Sequence, residues 1–235
     1  MNEILDQGYV SLVEGWGSDE AVIEAARMST GKGFNGWGTE EKPGDERLLA
    51  YLYNNKHATP FEMAGLVIEI KAPIFVFREW HRHRTQSYNE MSARYVPLPD
   101  ENYVPSIERL MAGANTATTN KQAQGNGEKL DTHDADVWLL SLEHLYKSAQ
   151  EVYERGIQIG IPKELARLPV PVARYSRMRA SANLRNWLAF LTLRQAPTAQ
   201  WEIRQYADAV GRLVADRFPR TWALFEKEMA GVSSK

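Results

Sequence analysis

The apolar and polar positions of this chain follow helical spacing over most of its length, interrupted by one strict alternation. Ser18-Asp19-Glu20 opens an amphipathic stretch through Ala21, Val22, Ala25 and Ala26 that fades near Met28-Ser29-Thr30, which predicts a capped helix. Residues 31–43 are glycine-rich and predict a surface loop. Asp45-Glu46-Arg47 starts a second helix with Leu48, Leu49, Leu52 and Tyr53 on its apolar side. Thr59-Pro60-Phe61-Glu62 reads as a capping box with proline at the first helical position, so a short helix is expected there.

The period changes at Leu66. Leu66, Ile68 and Ile70 alternate with Val67, Glu69 and Lys71, which predicts a strand. A kink is expected at Ala72-Pro73, and Ile74-Phe75-Val76-Phe77 continues as an extended or helical stretch. Residues 111–133 are small and polar and predict a flexible insertion. A long helix then runs from Asp134 or Asp136 to about Gly156, with Trp138, Leu139, Leu142, Leu145, Tyr146, Ala149 and Val152 as its apolar stripe. A helical turn at 162–167, stopped by Leu168-Pro169-Val170-Pro171, precedes a strand-like stretch at 172–178. Helices at 182–194 and 198–218 and a short terminal one close the chain. Strands are few, so a sheet covered by helices is the expected plan.

Composition narrows the chemistry. The chain has 235 residues, enough for one large domain or two small ones. Its 28 Lys plus Arg against 30 Asp plus Glu give a formal charge of -2, which argues against bulk electrostatic binding of nucleic acid. There are no cysteines, which excludes disulfides, thiolate nucleophiles and Cys-ligated metals. The start, Met1-Asn2-Glu3-Ile4, lacks a basic region followed by an apolar one, and the apolar runs are too short to span a bilayer. A soluble, cytoplasmic protein without membrane contact is expected.

Against that neutral background, residues 82–95 stand out. Arg82, Arg84 and Arg94 share fourteen residues with His83, Asn89, Glu90, Ser87 and Ser92, directly after an apolar run. Guanidinium groups beside a core strand must find acceptors or stay in water. Interleaved donors with one carboxylate suit both a phosphate and the polar edge of a uracil-like ring. Other readings compete. A solvated basic loop explains the arginines alone. His57, His81, His83 and the pair His133-Asp134 raise a metal phosphohydrolase, although no further ligands complete a shell, and no metal is expected. Ser87 or Ser92 as a nucleophile lacks the Gly-x-Ser-x-Gly elbow. A single-stranded RNA binder using Tyr88 and Tyr95 as stacking platforms is opposed by the net charge. A second polar group, Asn183, Arg185 and Arg194, punctuates an apolar helix, and nine positions of separation put Arg185 and Arg194 on opposite sides.

At these residues the chain resembles the flavin-dependent thymidylate synthases. Their signature Arg-His-Arg-x-x-Ser-x-x-x-x-Ser-x-Arg is met by Arg82, His83, Arg84, Ser87, Ser92 and Arg94. The likeness extends through His57-x-Thr59-Pro60-Phe61-Glu62, Lys71 to Phe75, Asn89-Glu90, Arg167-x-Pro169, Asn183-x-Arg185, Phe190 to Arg194 and Ala199 to Arg204. The resemblance implies an α+β (α/β) fold, a central mostly antiparallel sheet covered by long helices, in one domain over residues 1–235. It implies a homotetramer with shared active sites. It also implies methylation of dUMP to dTMP, with 5,10-methylenetetrahydrofolate giving the carbon and FAD, reduced by NADPH, giving the hydride. By position, Ser29, His57, Thr59, Glu62, Arg82, His83, Arg84, Glu90, Asn183, Arg185 and Ala189 fall on the flavin side. Glu79, Arg82, Glu90, Met91, Ser92, Ala93, Arg94, Arg167 and Arg194 fall on the dUMP side, with Arg194 the catalytic cation that favours ionisation at uracil N3. Two positions depart from the family pattern. Glu79 stands where glutamine is common, and Ala189 replaces a common asparagine, which removes one flavin hydrogen bond worth about 1 kcal/mol. The absent cysteine agrees with the resemblance, since flavin chemistry needs no protein thiolate on uracil C6.

Overall fold

The alternation that starts at Leu66 becomes the centre of a four-stranded antiparallel sheet in the computed structural model, which describes residues 3–39, 41–114 and 130–233. The strands β1 (Tyr9–Trp16), β2 (Gly65–Pro73), β3 (Ser87–Glu90) and β4 (Tyr175–Asn183) lie in the order β1-β2-β4-β3. Leu66, Ile68 and Ile70 of β2 and Ala180 of β4 are fully buried on one face. The opposite face carries Tyr9, Glu69, Lys71, Arg177 and Arg179, where the Tyr9 hydroxyl donates to Glu69 at 2.8 Å. Period-two patterning thus separates an apolar face from a charged one.

Nine helices are assigned among the described residues: α1 (Asp19–Arg27), α2 (Gly44–Asn54), α3 (Ile74–Trp80), α4 (Ile107–Ala114), α5 (Thr132–Gln158), α6 (Lys163–Ala166), α7 (Leu184–Arg194), α8 (Trp201–Arg217) and α9 (Pro219–Ser233). Helices α3, α7 and α8 pack on the apolar sheet face and build the core with Trp80, Trp187, Phe190 and Tyr206. The Trp80 and Phe190 rings stack at 4.6 Å, and Trp187 Nε1 donates to the Leu66 carbonyl at 3.1 Å. No described helix is long and apolar enough to cross a membrane.

Several elements differ from the sequence pattern, each for a local reason. The pattern misses β1, because a register shift between Leu12 and Glu14 breaks its alternation. It also misses β3, a short strand whose residues are mostly exposed, and α4. The turn Thr59–Glu62 is a single 3-10 turn without a side-chain cap, so the expected capping box is absent. Its Glu62 carboxylate bonds Arg185 instead. The stretch after Pro73 is helical: Ile74 N–H and Phe75 N–H donate to the carbonyls of Arg174 and Val172, both at 3.0 Å, and so satisfy the start of α3. Because Val172 and Arg174 serve that role, β4 starts at Tyr175 and not at 172. It runs on to Asn183, which pairs with Gly65 and then caps α7 by accepting from Asn186 N–H at 3.0 Å. The helix expected from 182 therefore begins at Leu184.

The stripe read along α5 also needs correction. Trp138, Leu145 and Val152 are 50, 61 and 61 % exposed, whereas Ala135, Tyr146, Tyr153 and Gly156 are buried. The named residues lie on two faces of the helix, and one of those faces meets solvent. Of the expected insertion, Met111 ends up in α4 and His133 in α5, while 115–129 lie outside the described residues.

Candidate active site

The segment singled out by its arginines follows directly on α3 and spans a turn, β3 and the loop after it. Four hydrogen bonds fix its course. Trp80 Nε1 donates to Gln86 Oε1 at 3.1 Å, the Tyr88 hydroxyl bridges the carbonyls of Trp80 (3.1 Å) and His83 (2.7 Å), and Asn186 Nδ2 donates to the Thr85 carbonyl at 3.1 Å. The turn is thereby tied to both α3 and α7, which presents polar side chains from a rigid base.

One group forms around Arg194 at the end of α7. Its Nη1 donates to Glu79 Oε2 at 2.8 Å, its Nη2 to the Glu79 carbonyl at 2.9 Å, and its Nε to His83 Nε2 at 2.8 Å. Burial, and then the Arg194 charge, push the His83 ring down to about 4. The ring is therefore neutral near pH 7, with its proton on Nδ1 so that Nε2 can accept. Sequence spacing showed neither this triad nor a partner for Glu79, because Arg194 lies 111 residues from His83 and 115 from Glu79.

A second group lines a cavity of about 350 Å³ bounded by Ile74, Glu90, Met91, Ser92, Ala93, Leu98, Arg167, Val170 and Ser176. Five residues of the expected dUMP side, Glu90, Met91, Ser92, Ala93 and Arg167, meet here. Glu90 closes β3, and Met91 N–H donates to the Arg177 carbonyl at 2.8 Å, which turns the chain into the cavity wall. Arg167 follows α6 and rests its Nε on the Glu164 carbonyl at 3.3 Å. Arg94 lies outside the lining and pairs with Glu164 at 3.4 Å. Glu79, Arg82 and Arg194 are likewise not lining residues. Sequence reasoning missed Ile74, Leu98, Val170 and Ser176, whose apolar or small character carries no chemical signal.

The expected flavin residues form a third, open group. Glu62 pairs with Arg185, Asn183 caps the same helix, and Ala189 lies one turn beyond Arg185 on its exposed side. The turn that holds Thr59 and Glu62 packs against both α1 and α7. His57 lies against Tyr51, and the Ser29 hydroxyl donates to the Ala26 carbonyl at 3.1 Å. Arg82 and Arg84 are exposed and make no side-chain hydrogen bond or ion pair among the described residues. Donors there exceed acceptors, which fits an anionic ligand such as the pyrophosphate of a dinucleotide.

The histidines do not converge. His81 Nε2 sits 3.2 Å from Met178 Sδ, His83 serves Arg194, His57 meets Tyr51, and His133 opens α5. Among the described residues no three His, Asp or Glu side chains are grouped to hold a metal ion.

Comparison with known proteins shows the family. The family model described as thymidylate synthase complementing protein matches residues 11–220. A flavin-dependent thymidylate synthase of Thermus thermophilus is 40 % identical over 226 residues, covering 96 % of this chain and 78 % of that protein. One from Thermosipho africanus is 38 % identical over 225 residues, covering 96 and 93 %. Among solved structures, a UMP/dUMP methylase from Streptomyces cacaoi bound with 5-Br UMP superposes with a TM-score of 0.81 at 33 % identity, covering 96 % of each chain.

Proposed function

Because this chain belongs to the thymidylate synthase complementing protein family, we propose that it is a flavin-dependent thymidylate synthase, an enzyme that methylates dUMP to dTMP. The observation that carries the reading is the cavity that collects Glu90, Met91, Ser92, Ala93 and Arg167 beside β3. It is large enough for a mononucleotide and offers a cation, hydroxyls and one carboxylate.

In this reading the chain's own residues position and stabilise. Arg167 and the Ser92 hydroxyl meet the nucleotide phosphate at the exposed rim. Arg194 supplies a cation for the charge that develops on the uracil ring, and its bonds to the Glu79 carbonyl and to His83 keep it oriented. To reach the ring it exchanges the Glu79 carboxylate for the ligand. Neutral His83 accepts from Arg194 Nε without adding a second positive charge. No cysteine exists to attack uracil C6, so activation by protein sulfur is closed to this chain.

Arg82, Arg84, Asn183 and Arg185 would hold FAD, with Thr59, Glu62, His57 and Ser29 at its margin. When bound and reduced by NADPH, FAD supplies the hydride, and 5,10-methylenetetrahydrofolate supplies the carbon. Ala189 offers that ligand no hydrogen bond. A homotetramer with shared active sites completes the reading. Two observations support it: Arg194 and Glu79 do not line the cavity, and Trp138, Leu145 and Val152 stand exposed at seven-residue intervals along α5. In this reading all 235 residues form one domain, and the enzyme works in the cytoplasm.

The test is spectroscopic and chemical. Purified protein given FAD and then freed of unbound flavin by gel filtration is expected to be yellow, bleach with NADPH, and reoxidise while forming dTMP once dUMP and methylenetetrahydrofolate are added. Protein that stays colourless with FAD, or that forms no dTMP, would end the reading.

A further inference from the structure

We propose that the hydroxyl of Ser176 is a further substrate contact, hydrogen-bonded to an oxygen of the nucleotide that enters the cavity; this rests on the nucleotide-methylating reading above. Ser176 lies on β4 opposite Ala72 and is 2 % exposed. It lines the cavity, yet its Oγ has no hydrogen-bond partner among the described residues. A buried hydroxyl left unpaired is unfavourable, and such groups are uncommon in folded proteins.

Packing alone does not call for a hydroxyl at this position. The next residues on the same face of β4 are Met178, Ala180 and Ala182, all buried, and alanine would fill the same space as serine. The other polar lining side chains, Glu90, Ser92 and Arg167, are exposed or half-buried. The remaining lining side chains, Ile74, Met91, Ala93, Leu98 and Val170, are apolar. A ligand in the cavity therefore meets one buried hydrogen-bonding side chain, and that side chain has no other partner among the described residues. The oxygens a nucleotide can offer it are those of the phosphate or those of the sugar and base.

The experiment measures binding of dUMP and of deoxyuridine to the parent protein and to Ser176→Ala by calorimetry, with thermal unfolding of both proteins free of ligand. Removing an unpaired buried hydroxyl is expected to leave the unliganded melting temperature unchanged or slightly higher. The dUMP affinity is expected to fall roughly five- to ten-fold. A loss seen with dUMP and absent with deoxyuridine assigns the bond to the phosphate. An equal loss with both assigns it to a sugar or base oxygen. Unchanged dUMP affinity overturns the proposal, and a lowered melting temperature alongside it would make Ser176 a structural residue. A parent protein that binds no dUMP would overturn the functional reading itself, and this contact with it.

Discussion

Replacing Glu79 by glutamine should move stability and substrate affinity in opposite directions. The Glu79 carboxylate accepts from Arg194 Nη1 at 2.8 Å, with the two side chains 40 and 15 % exposed. Glutamine keeps an acceptor there and removes the charge. Arg194 stays charged and still donates, so what is lost is the ion-pair attraction alone. For a pair partly in water that is up to about 1 kcal/mol. The melting temperature of unliganded Glu79→Gln should therefore fall by about 2–4 °C for a chain of this size. If Arg194 must leave Glu79 to reach uracil, the same 1 kcal/mol returns on binding, and dUMP affinity should rise about five-fold. Removing a negative charge near the nucleotide acts in the same direction. Differential scanning fluorimetry and titration calorimetry measure the two effects. A variant that melts lower and binds dUMP no better, or worse, would refute the reasoning and show that the carboxylate itself serves the ligand.

Arg194→Ala should abolish dTMP formation while FAD still binds, because the Arg194 group is separate from Arg82, Arg84 and Arg185; full turnover would remove its role. His83 should make stability pH-dependent: its ring stays neutral in the folded protein to about pH 4, while the unfolded chain takes up a proton below about 6.5. Stability is thus complete above pH 6.5 and lost as pH falls toward 4, by about 1–2 kcal/mol after allowing for the ring's partial exposure. His83→Gln, which keeps an acceptor for Arg194, should flatten that part of the melting-temperature profile; an unchanged slope would sink the assignment. Arg174 is fully buried and donates to the Pro99 carbonyl (2.6 Å), Gln150 Oε1 (2.9 Å) and Asn102 Oδ1 (3.0 Å). Arg174→Leu strands those acceptors and should cost roughly 3 kcal/mol in denaturant unfolding, and a loss below about 1 kcal/mol would show that water replaces it.

What the sequence by itself determined was local. The alternation of Leu66, Ile68 and Ile70 named a strand because side chains on a pleat take opposite faces. The helices around Leu49, Leu188 and Val210 followed from 3.6-residue spacing, and the run of Arg82, Arg84, Glu90, Ser92 and Arg94 marked a polar site because so many donors beside a core strand need ligand acceptors. Tertiary structure decided what such patterns cannot carry. β1 escaped notice because a bulge breaks its alternation, and β3 because only its pairing with β4 makes it a strand. The two faces of α5 were separated only by packing. Arg194 joins Glu79 and His83 across more than a hundred residues, and the Ser176 wall of the cavity likewise unites residues that chain spacing leaves unrelated. A side chain's partner is chosen by the path of the backbone through space, and one-dimensional order records only the neighbours within a turn or two.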